Sequence, residues 1–368
     1  MQIKRILHII GKMDRAGAET MVMNLYRSID RNQFQFDFVS FSKDNGDFDY
    51  EILAMGGKIF NIELSNPIQR MLALKKLLIN HPEYQIVHCH TLFSNAFHLL
   101  AAHLAKVPNR IVHSHNTSDQ SKSKLISTLY QNFSRRLIKK YATNYISCGV
   151  AASNFLFPNE KKVLFLSNAV DTNYFANMGE TKTSYITDNF DLKDDCLKII
   201  QVGRLQEVKN PFFSIKIATE LKRRGIDFKF IFIGKGELSE ALNKEIKSLS
   251  LSENIVLAGL RSDIPELMAG ADIMVMPSLH EGFPVVLVEA QSAGLKCLIS
   301  DSISSEVNLN VDLVEFESLT SSVEKWVDKL LELRLKKKIE KNNRLKKMSD
   351  FDVNQNVIKL RDLYNFIS

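Results

Sequence analysis

The chain has 368 residues, 45% of them hydrophobic, and a formal charge of +6. That length exceeds what one core usually organises, so two domains are expected, and the apolar content is ample for both. The charge is mild for the size: it favours anionic ligands or surfaces without demanding nucleic acid, and no nucleic-acid partner is expected. No apolar run approaches a membrane span, and the opening Met1 to Gly11 is too short and strand-like for a signal peptide, which predicts a cytoplasmic protein. Cys89, Cys148, Cys196 and Cys297 lie far apart without a C-x-x-C pair and read as reduced structural residues.

Strand and helix patterns alternate along the chain, which predicts parallel sheets with helices on both faces. In the first half, strands are predicted at Arg5 to Ile10, Gln35 to Phe41, Lys58 to Ile62, Ile86 to Cys89, Arg110 to His113, Tyr145 to Cys148 and Lys162 to Phe165. After the first strand, Arg15-Ala16-Gly17-Ala18-Glu19 leads into a helix, Thr20 to Ser28, which places Gly17 for close backbone approach to a ligand. His88-Cys89-His90 and His113-Ser114-His115 stand at carboxyl ends of strands, with the histidines of each pair on one face. Four imidazoles so placed could gather round a metal. No carboxylate or thiol at ligand spacing accompanies them, and hydrogen-bonded histidines lining a cleft are the expectation.

Between Ser121 and Tyr141, the residues Leu125, Ile126, Leu129, Tyr130, Phe133, Leu137 and Tyr141 form one helical stripe. Lys122, Lys124, Arg135, Arg136, Lys139 and Lys140 lie on or beside its flanks, with one acid, Asp119, nearby. A core-facing stripe with solvated basic residues fits this pattern, and so does a helix that draws the domain to anionic lipid. Peripheral, salt-sensitive membrane association follows from the second reading.

The join between halves falls in the polar stretch Asn177 to Asp195, which lacks an apolar period and reads as linker. Strands resume at Lys198 to Val202, Asp227 to Ile233, Ile255 to Ala258, Ile273 to Met276 and Lys296 to Ser300. Gly203-Arg204-Leu205-Gln206-Glu207-Val208-Lys209-Asn210-Pro211 follows the first of these and precedes a helix from about Phe212. Arg204 and Lys209 therefore sit at the carboxyl end of a strand, where open α/β sheets bind ligands. A guanidinium clamps phosphate in bidentate fashion, and an ammonium adds a point charge.

Glu281-Gly282-Phe283-Pro284 then opens an apolar helix whose free backbone donors favour an anion. Glu281 and Glu289, eight positions apart, can accept hydrogen bonds from hydroxyls on opposite sides of that anion. Hydroxyl, phosphate, hydroxyl is the polarity pattern of a nucleotide sugar. Gly234-Lys235-Gly236 lacks the third glycine of a dinucleotide fingerprint, which argues against a dehydrogenase. The triplets Asp47-Phe48-Asp49 and Asp350-Phe351-Asp352 do not follow a strand end beside the phosphate elements and are discounted as metal ligands. The basic run Arg334 to Lys347 reads as a solvated helix.

In this order, the loop with Arg204 and Lys209 and the Glu281 to Glu289 element resemble the retaining nucleotide-sugar glycosyltransferases of family 4 (glycosyltransferase group 1). The resemblance covers essentially the whole chain. It implies an α/β GT-B fold of two Rossmann-like, doubly wound parallel-sheet domains facing across a cleft. Residues 1–175 would form the acceptor-side domain and 190–345 the nucleotide-sugar-binding domain, with a C-terminal helix over 351–368 packing back on the first. The resemblance further implies that Arg204, Lys209, Glu281 and His115 carry catalysis, that Gly17, Arg261, Gly282, Phe283, Pro284 and Glu289 bind the donor, and that His90 and Glu19 lie toward the acceptor. His115 matches a histidine that touches the donor sugar, Glu281 a residue that binds sugar hydroxyls, Glu289 the ribose carboxylate and Arg261 a base-side position. Where the family usually has Gly-Gly-x-Glu, this chain has Ala16-Gly17-Ala18-Glu19 and keeps one glycine and the acid.

The implied reaction moves a hexosyl or N-acetylhexosaminyl unit from a nucleotide-diphosphate sugar, a UDP-sugar, to a glycan or lipid-linked sugar acceptor. It would proceed with retention, by same-face substitution, and no cofactor or metal is expected. Ser302-Ile303-Ser304-Ser305-Glu306-Val307 with Leu313-Val314-Glu315-Phe316 resembles capsular and exopolysaccharide enzymes. A nucleotide-sugar epimerase of the same fold and a non-catalytic nucleotide-sugar-binding protein remain alternatives.

Overall fold

The computed structural model describes residues 3–115, 124–167, 169–281, 283–337 and 340–367, with side chains from Thr128 onward in the helix that starts at Lys124. The chain forms two compact units, Met1–Ala169 with Val353–Ser368, and Val170–Asp352. In the first, β1 (Lys4–Ile9), β2 (Phe34–Ser40), β3 (Ile59–Asn61), β4 (Ile86–Cys89), β5 (Asn109–Ser114), β6 (Asn144–Ser147) and β7 (Val163–Phe165) make a sheet in the order β3-β2-β1-β4-β5-β6-β7. Every pairing in it is parallel. Successive side chains alternate between its faces. Ile6 packs with the helices Gly17–Ser28 and Val353–Phe366 on one side, and Leu7 and Ile9 pack with Leu74, Leu99 and Ile138 of three further helices on the other.

The second unit repeats the plan with six strands. These are β8 (Leu197–Val202), β9 (Phe228–Ile233), β10 (Ile255–Gly259), β11 (Ile273–Met276), β12 (Lys296–Ser300) and β13 (Val314–Glu317), ordered β10-β9-β8-β11-β12-β13 and all parallel. In each sheet the strand order reverses once, between β1 and β4 and between β8 and β11. Loops part there at the carboxyl ends of the strands, which is where such sheets take ligands. No helix among the described residues is long and apolar enough to cross a membrane.

Three expectations need correction. The stretch from Asn177 to Asp195 is not a linker: the helices Thr172–Thr181 and Tyr185–Asn189 run through it and bury Ala176 and Ile186 in the second unit. Gly179 lies so close to the helix Val285–Ala293 that a Cβ would stand 2.0 Å from the Ala293 carbonyl oxygen. Contact made through a missing side chain leaves no apolar period to read. The basic run Arg334 to Lys347 is not one solvated helix either, because Arg344 is buried and donates to the Ser292 carbonyl. The edge strand β13 was missed because it is short and alternates with acids, of which Glu317 is buried and accepts from Lys325, Lys329 and Ser321.

Candidate active site

In the second unit the two elements expected to hold phosphate meet at the switch point. The ammonium of Lys209, on the loop after β8, forms an ion pair with Glu281 Oε1, on the loop after β11. Both side chains are more than four-fifths buried, at 19% and 16% exposure. Backbone contacts fix the pair. Leu279 N donates to the Val208 carbonyl at 2.8 Å, and Asn210 Nδ2 donates to the Pro277 carbonyl at 3.1 Å. Gln201, at the end of β8, donates to the Lys209 carbonyl at 2.9 Å and is itself held by Ser214 Oγ at 2.6 Å. Gly203 has φ +148°, and a Cβ there would meet Lys209 Cε at 3.3 Å, so this glycine makes room for the lysine stem. An ammonium has three donors, and one ion pair leaves capacity for an anion. Arg204 is exposed and pairs with no carboxylate among the described residues.

The helix after Glu281 starts at Val285, with Pro284 as its N-cap residue and no side-chain cap. Glu289 is half-buried in its second turn, on a helix that is otherwise mostly buried, so it is not a freely solvated carboxylate. Gly282 lies outside the described residues. Phe283 stacks on Phe351 at 5.6 Å with planes 2° apart. Arg261 is held in a bidentate pair with Asp263 at 2.6 and 2.8 Å, and Tyr185 donates to the same carboxylate. The pairing lowers the Asp263 carboxyl below its ordinary range. Gly234 and Gly236 would press a Cβ to 2.1 and 2.2 Å from the carbonyl oxygens of Gly203 and Leu205. That glycine pair therefore serves close backbone packing.

The first unit gathers five imidazoles. His8, His88, His90, His113 and His115 stand on one face of β1, β4 and β5 at the carboxyl end, with His8 level with His88 in the strand register. His8 Nδ1 lies 3.0 Å from His90 Nε2, His90 Nδ1 lies 2.9 Å from His115 Nε2, and His88 Nδ1 lies 2.9 Å from the Tyr364 hydroxyl. Burial drives the first four well below the ordinary histidine range, helped by the neighbouring rings, and takes His115 down to about 4. All are neutral at pH 7. Two triads, His8/His88/His90 and His90/His113/His115, bring one nitrogen each within 4.8 Å. The hydrogen bonds along His8, His90 and His115 use lone pairs a metal would need, so the geometry favours stacked, mutually bonded imidazoles.

Gly17 is the first residue of its helix, three positions earlier than expected, and a Cβ there would meet nothing within 4 Å. Glu19 is half-buried in the same first turn. Both Asp-Phe-Asp triplets are structural: Asp47 accepts from Arg15 N and Asp49 from Gly46 N, while Asp352 accepts from Thr172 and Phe351 holds Phe283.

The model of the glycosyl transferases group 1 matches residues 186–349, and that of glycosyltransferase family 4 matches residues 15–173. EpsF of Bacillus subtilis, a protein named as a glycosyltransferase, is 38% identical over 98% of this chain and 96% of its own length. The chain belongs to this glycosyltransferase family. A further relative is the Escherichia coli UDP-Gal:alpha-D-GlcNAc-diphosphoundecaprenol alpha-1,3-galactosyltransferase, 28% identical over 83% of this chain and 81% of that protein. Among solved structures, Anabaena HepE in complex with UDP and glucose superposes with a TM-score of 0.77 at 17% identity, covering 98% of this chain and 99% of that one. The fold of the glycosyltransferase is thus GT-B.

Sequence reasoning missed three members of these sites. His8 lacks the paired spacing of the other histidines, although strand alternation puts it level with His88. Tyr364 comes from the far end of the chain. Gln201 looked like an ordinary strand residue. In this glycosyltransferase the helix Lys124–Tyr141 also differs from its expected stripe. Ser134 and Ile138 face the core, whereas Leu129, Tyr130 and Phe133 are exposed. Leu125 and Ile126 have no described side chains, and Asp119, Ser121 and Lys122 lie outside the described residues. Arg135 is no free flank residue: it donates to the Phe155 carbonyl and lies over the Phe93 and Phe155 rings.

Proposed function

We propose that this glycosyltransferase moves a hexosyl or N-acetylhexosaminyl unit from a UDP-sugar to a lipid-linked glycan of surface polysaccharide, with retention and without a divalent ion. The observation that carries this reading is the Lys209–Glu281 pair, which joins two sequence elements some seventy residues apart at the switch point of the second sheet. Lys209 and Arg204 would stabilise charge growing on the leaving diphosphate, an effect that a preorganised cation supplies without reorganisation. Glu281, oriented by Lys209, would accept hydrogen bonds from sugar hydroxyls, and Glu289 from the ribose. Arg261 and the segment Phe283 and Pro284, just before the helix, would flank the nucleotide. His115 and Gly17 would meet the donor, with His90 and Glu19 toward the acceptor. The UDP bound by the structural relative and the diphosphoundecaprenol acceptor of the Escherichia coli relative support donor and acceptor class.

The test is transfer from UDP-sugars to an undecaprenyl-diphosphate-linked sugar, with product anomericity read by NMR and activity measured after exhaustive chelation. An inverted product refutes retention. Activity abolished by chelator and restored by metal refutes cation-only assistance. Turnover of donor without any acceptor would favour the epimerase alternative.

A lipid-linked acceptor also requires approach to a membrane, and one face of the first unit suits it. The helices Pro67–Asn80, Asn95–Leu104 and Lys124–Tyr141, which pack side by side, contain no aspartate or glutamate. They present Lys75, Lys76, Arg136, Lys139 and Lys140 beside the exposed apolar residues Ile68, Leu72, Ile79, Leu129 and Phe133, each at least half exposed. The helices on the opposite face carry Glu19 and Asp362. Acid-free helices that carry basic and exposed apolar side chains fit the headgroup layer of an anionic membrane.

A further inference from the structure

Lys209 and Glu281 are each expected to meet a ligand, yet without one they meet each other. Gln201 and Gln206 hold the Lys209 peptide from its two sides, and Glu281 forms a parallel β-bridge with the buried Ile303 after β12. Neither charge can therefore withdraw with its backbone, and only the side-chain tips are left to move. Both side chains stay reachable, at 19% and 16% exposure. Glu281 Oε1 itself is buried and, apart from this ion pair, has no partner among the described residues. A buried charge that loses its partner is strongly destabilised.

An anion at the switch point draws the ammonium and so acts on the carboxylate as well. The outcome depends on what the ligand offers Glu281. A diphosphate that carries a sugar brings oxygens for Lys209 and hydroxyl donors for Glu281, so both charges are met. A diphosphate without its sugar brings only oxygens. It competes with the carboxylate for one ammonium and adds negative charge beside it, where partly buried like charges repel far more than they do in water.

We propose that Glu281 is a specificity-determining residue: by competing for Lys209 it makes the site favour a sugar nucleotide over the bare nucleoside diphosphate, and it displaces that product once the sugar has left. The identity of the ligand rests on the function proposed above; the competition for the ammonium does not. Arg204, which pairs with no carboxylate among the described residues, lies outside this competition.

The test measures binding of UDP and of inorganic pyrophosphate to the full chain by calorimetry, in the wild type and in Glu281→Gln, which keeps the shape and removes the charge. Thermal unfolding checks the fold, and Glu281→Ser gives a second readout should the amide variant fail to fold. Both ligands should bind about tenfold more tightly to the variant, because the ammonium no longer faces a competing carboxylate. Damage to the site would weaken them, so equal or weaker binding in the folded variant overturns the proposal. In a Lys209→Met background the gain should be mostly lost, and an equal gain there overturns competition for the ammonium. For whichever of UDP-glucose, UDP-galactose and their N-acetylhexosamine counterparts the wild type binds, the preference over UDP should fall in Glu281→Gln by at least that factor. An unchanged preference overturns the specificity role. Pyrophosphate or UDP tightened as stated, with no UDP-sugar bound by any form, refutes the proposed function alone. Neither anion bound by wild type or variant overturns the competition itself.

Discussion

The two units share one topology and differ in what they place at its switch point. At the β8/β11 reversal stand opposite charges, Lys209 against Glu281, with Arg204 exposed beside them and Glu289 on the following helix. At the β1/β4 reversal stand five neutral imidazoles and no ion pair among their described side chains. Eight of the nine histidines, all but His280, belong to the first unit. The same backbone frame thus offers fixed charge in one unit and neutral hydrogen bonding in the other. A diphosphate needs the first kind of site, since its developing charge is what a cation stabilises. Sugar hydroxyls need only the second.

The sharpest way to break this contrast is to remove charge from the second unit. Lys209→Ala or Arg204→Ala should lower the transfer rate by about a hundredfold or more, as loss of other charge-stabilising groups does. Lys209→Ala also leaves Glu281 without its ion partner. Arg204 has none to strand among the described residues, so the two variants separate loss of positive charge from disturbance of the carboxylate. Steady-state rates with thermal unfolding as a fold control check this. Wild-type turnover in both folded variants would remove the phosphate assignment.

Acid should separate the units next. Burial lowers His8, His88, His90 and His113 well below the ordinary range, His115 to about 4 and His98 to about 3. Their unfolded counterparts titrate near 6.5, so below that pH the unfolded chain binds protons that the folded unit refuses. Stability is fully present above about pH 6.5 and falls with pH toward each folded value, by up to about 1.4 kcal/mol per pH unit for each such histidine. In the second unit the depressed groups that titrate in acid are carboxylates, with Glu317 and Glu220 held at about 2, and their losses begin only below the ordinary carboxylate range. Hydrogen exchange at pH 7.5 and at pH 5 should show protection lost first in β1, β4 and β5. Equal loss in β8 and β11 would contradict the assignment of neutral, buried rings.

All strands but the acid-alternating edge strand β13 were legible, because parallel strands bury both faces and read as apolar runs. Ile86–Cys89, Ile273–Met276 and Lys296–Ser300 fell where the sequence put them. Within the site, Lys209 could be placed at a strand end and Glu281 before a helix start, yet nothing in the sequence said that they touch. That depends on Gly203 yielding space and on Val208 and Leu279 pairing through backbone. His8 and Tyr364 were hidden for a related reason: they join the imidazoles through strand register and through a helix that arrives from the end of the chain. The engagement of Arg261 by Asp263, two residues on, was readable in principle as a local opposite-charge pair.

Glu289→Gln sharpens the contrast from inside the helix Val285–Ala293. The change keeps shape and removes charge, and the carboxylate is assigned to ribose hydroxyls, which it binds as a charge-assisted acceptor. Donor KM should rise by about tenfold while the rate at saturation changes little, since the ribose contact is made equally in ground and transition states. A large fall in saturated rate with KM unchanged would move Glu289 from binding to chemistry.

The smallest expected effect concerns the outer layer of the first unit, where charge returns on a surface and not at a strand end. Replacing Arg136, Lys139 and Lys140 by Ser removes three exposed cations from the acid-free helices. It leaves Arg135, whose guanidinium is spent on the Phe155 carbonyl and two aromatic rings. Each charge near an anionic surface contributes about 1 kcal/mol at most, and salt screens it. Co-sedimentation with vesicles containing anionic lipid should therefore fall severalfold in the variant and in the wild type at high salt, with neutral vesicles bound weakly by both. Leu129→Ser with Phe133→Ser tests the apolar share, which salt leaves in place. If the cation variant binds anionic vesicles as the wild type does, the charged helices play no part in docking. If the wild type ignores vesicles yet still transfers to a water-soluble acceptor, the membrane face is wrong and the transferase reading stands.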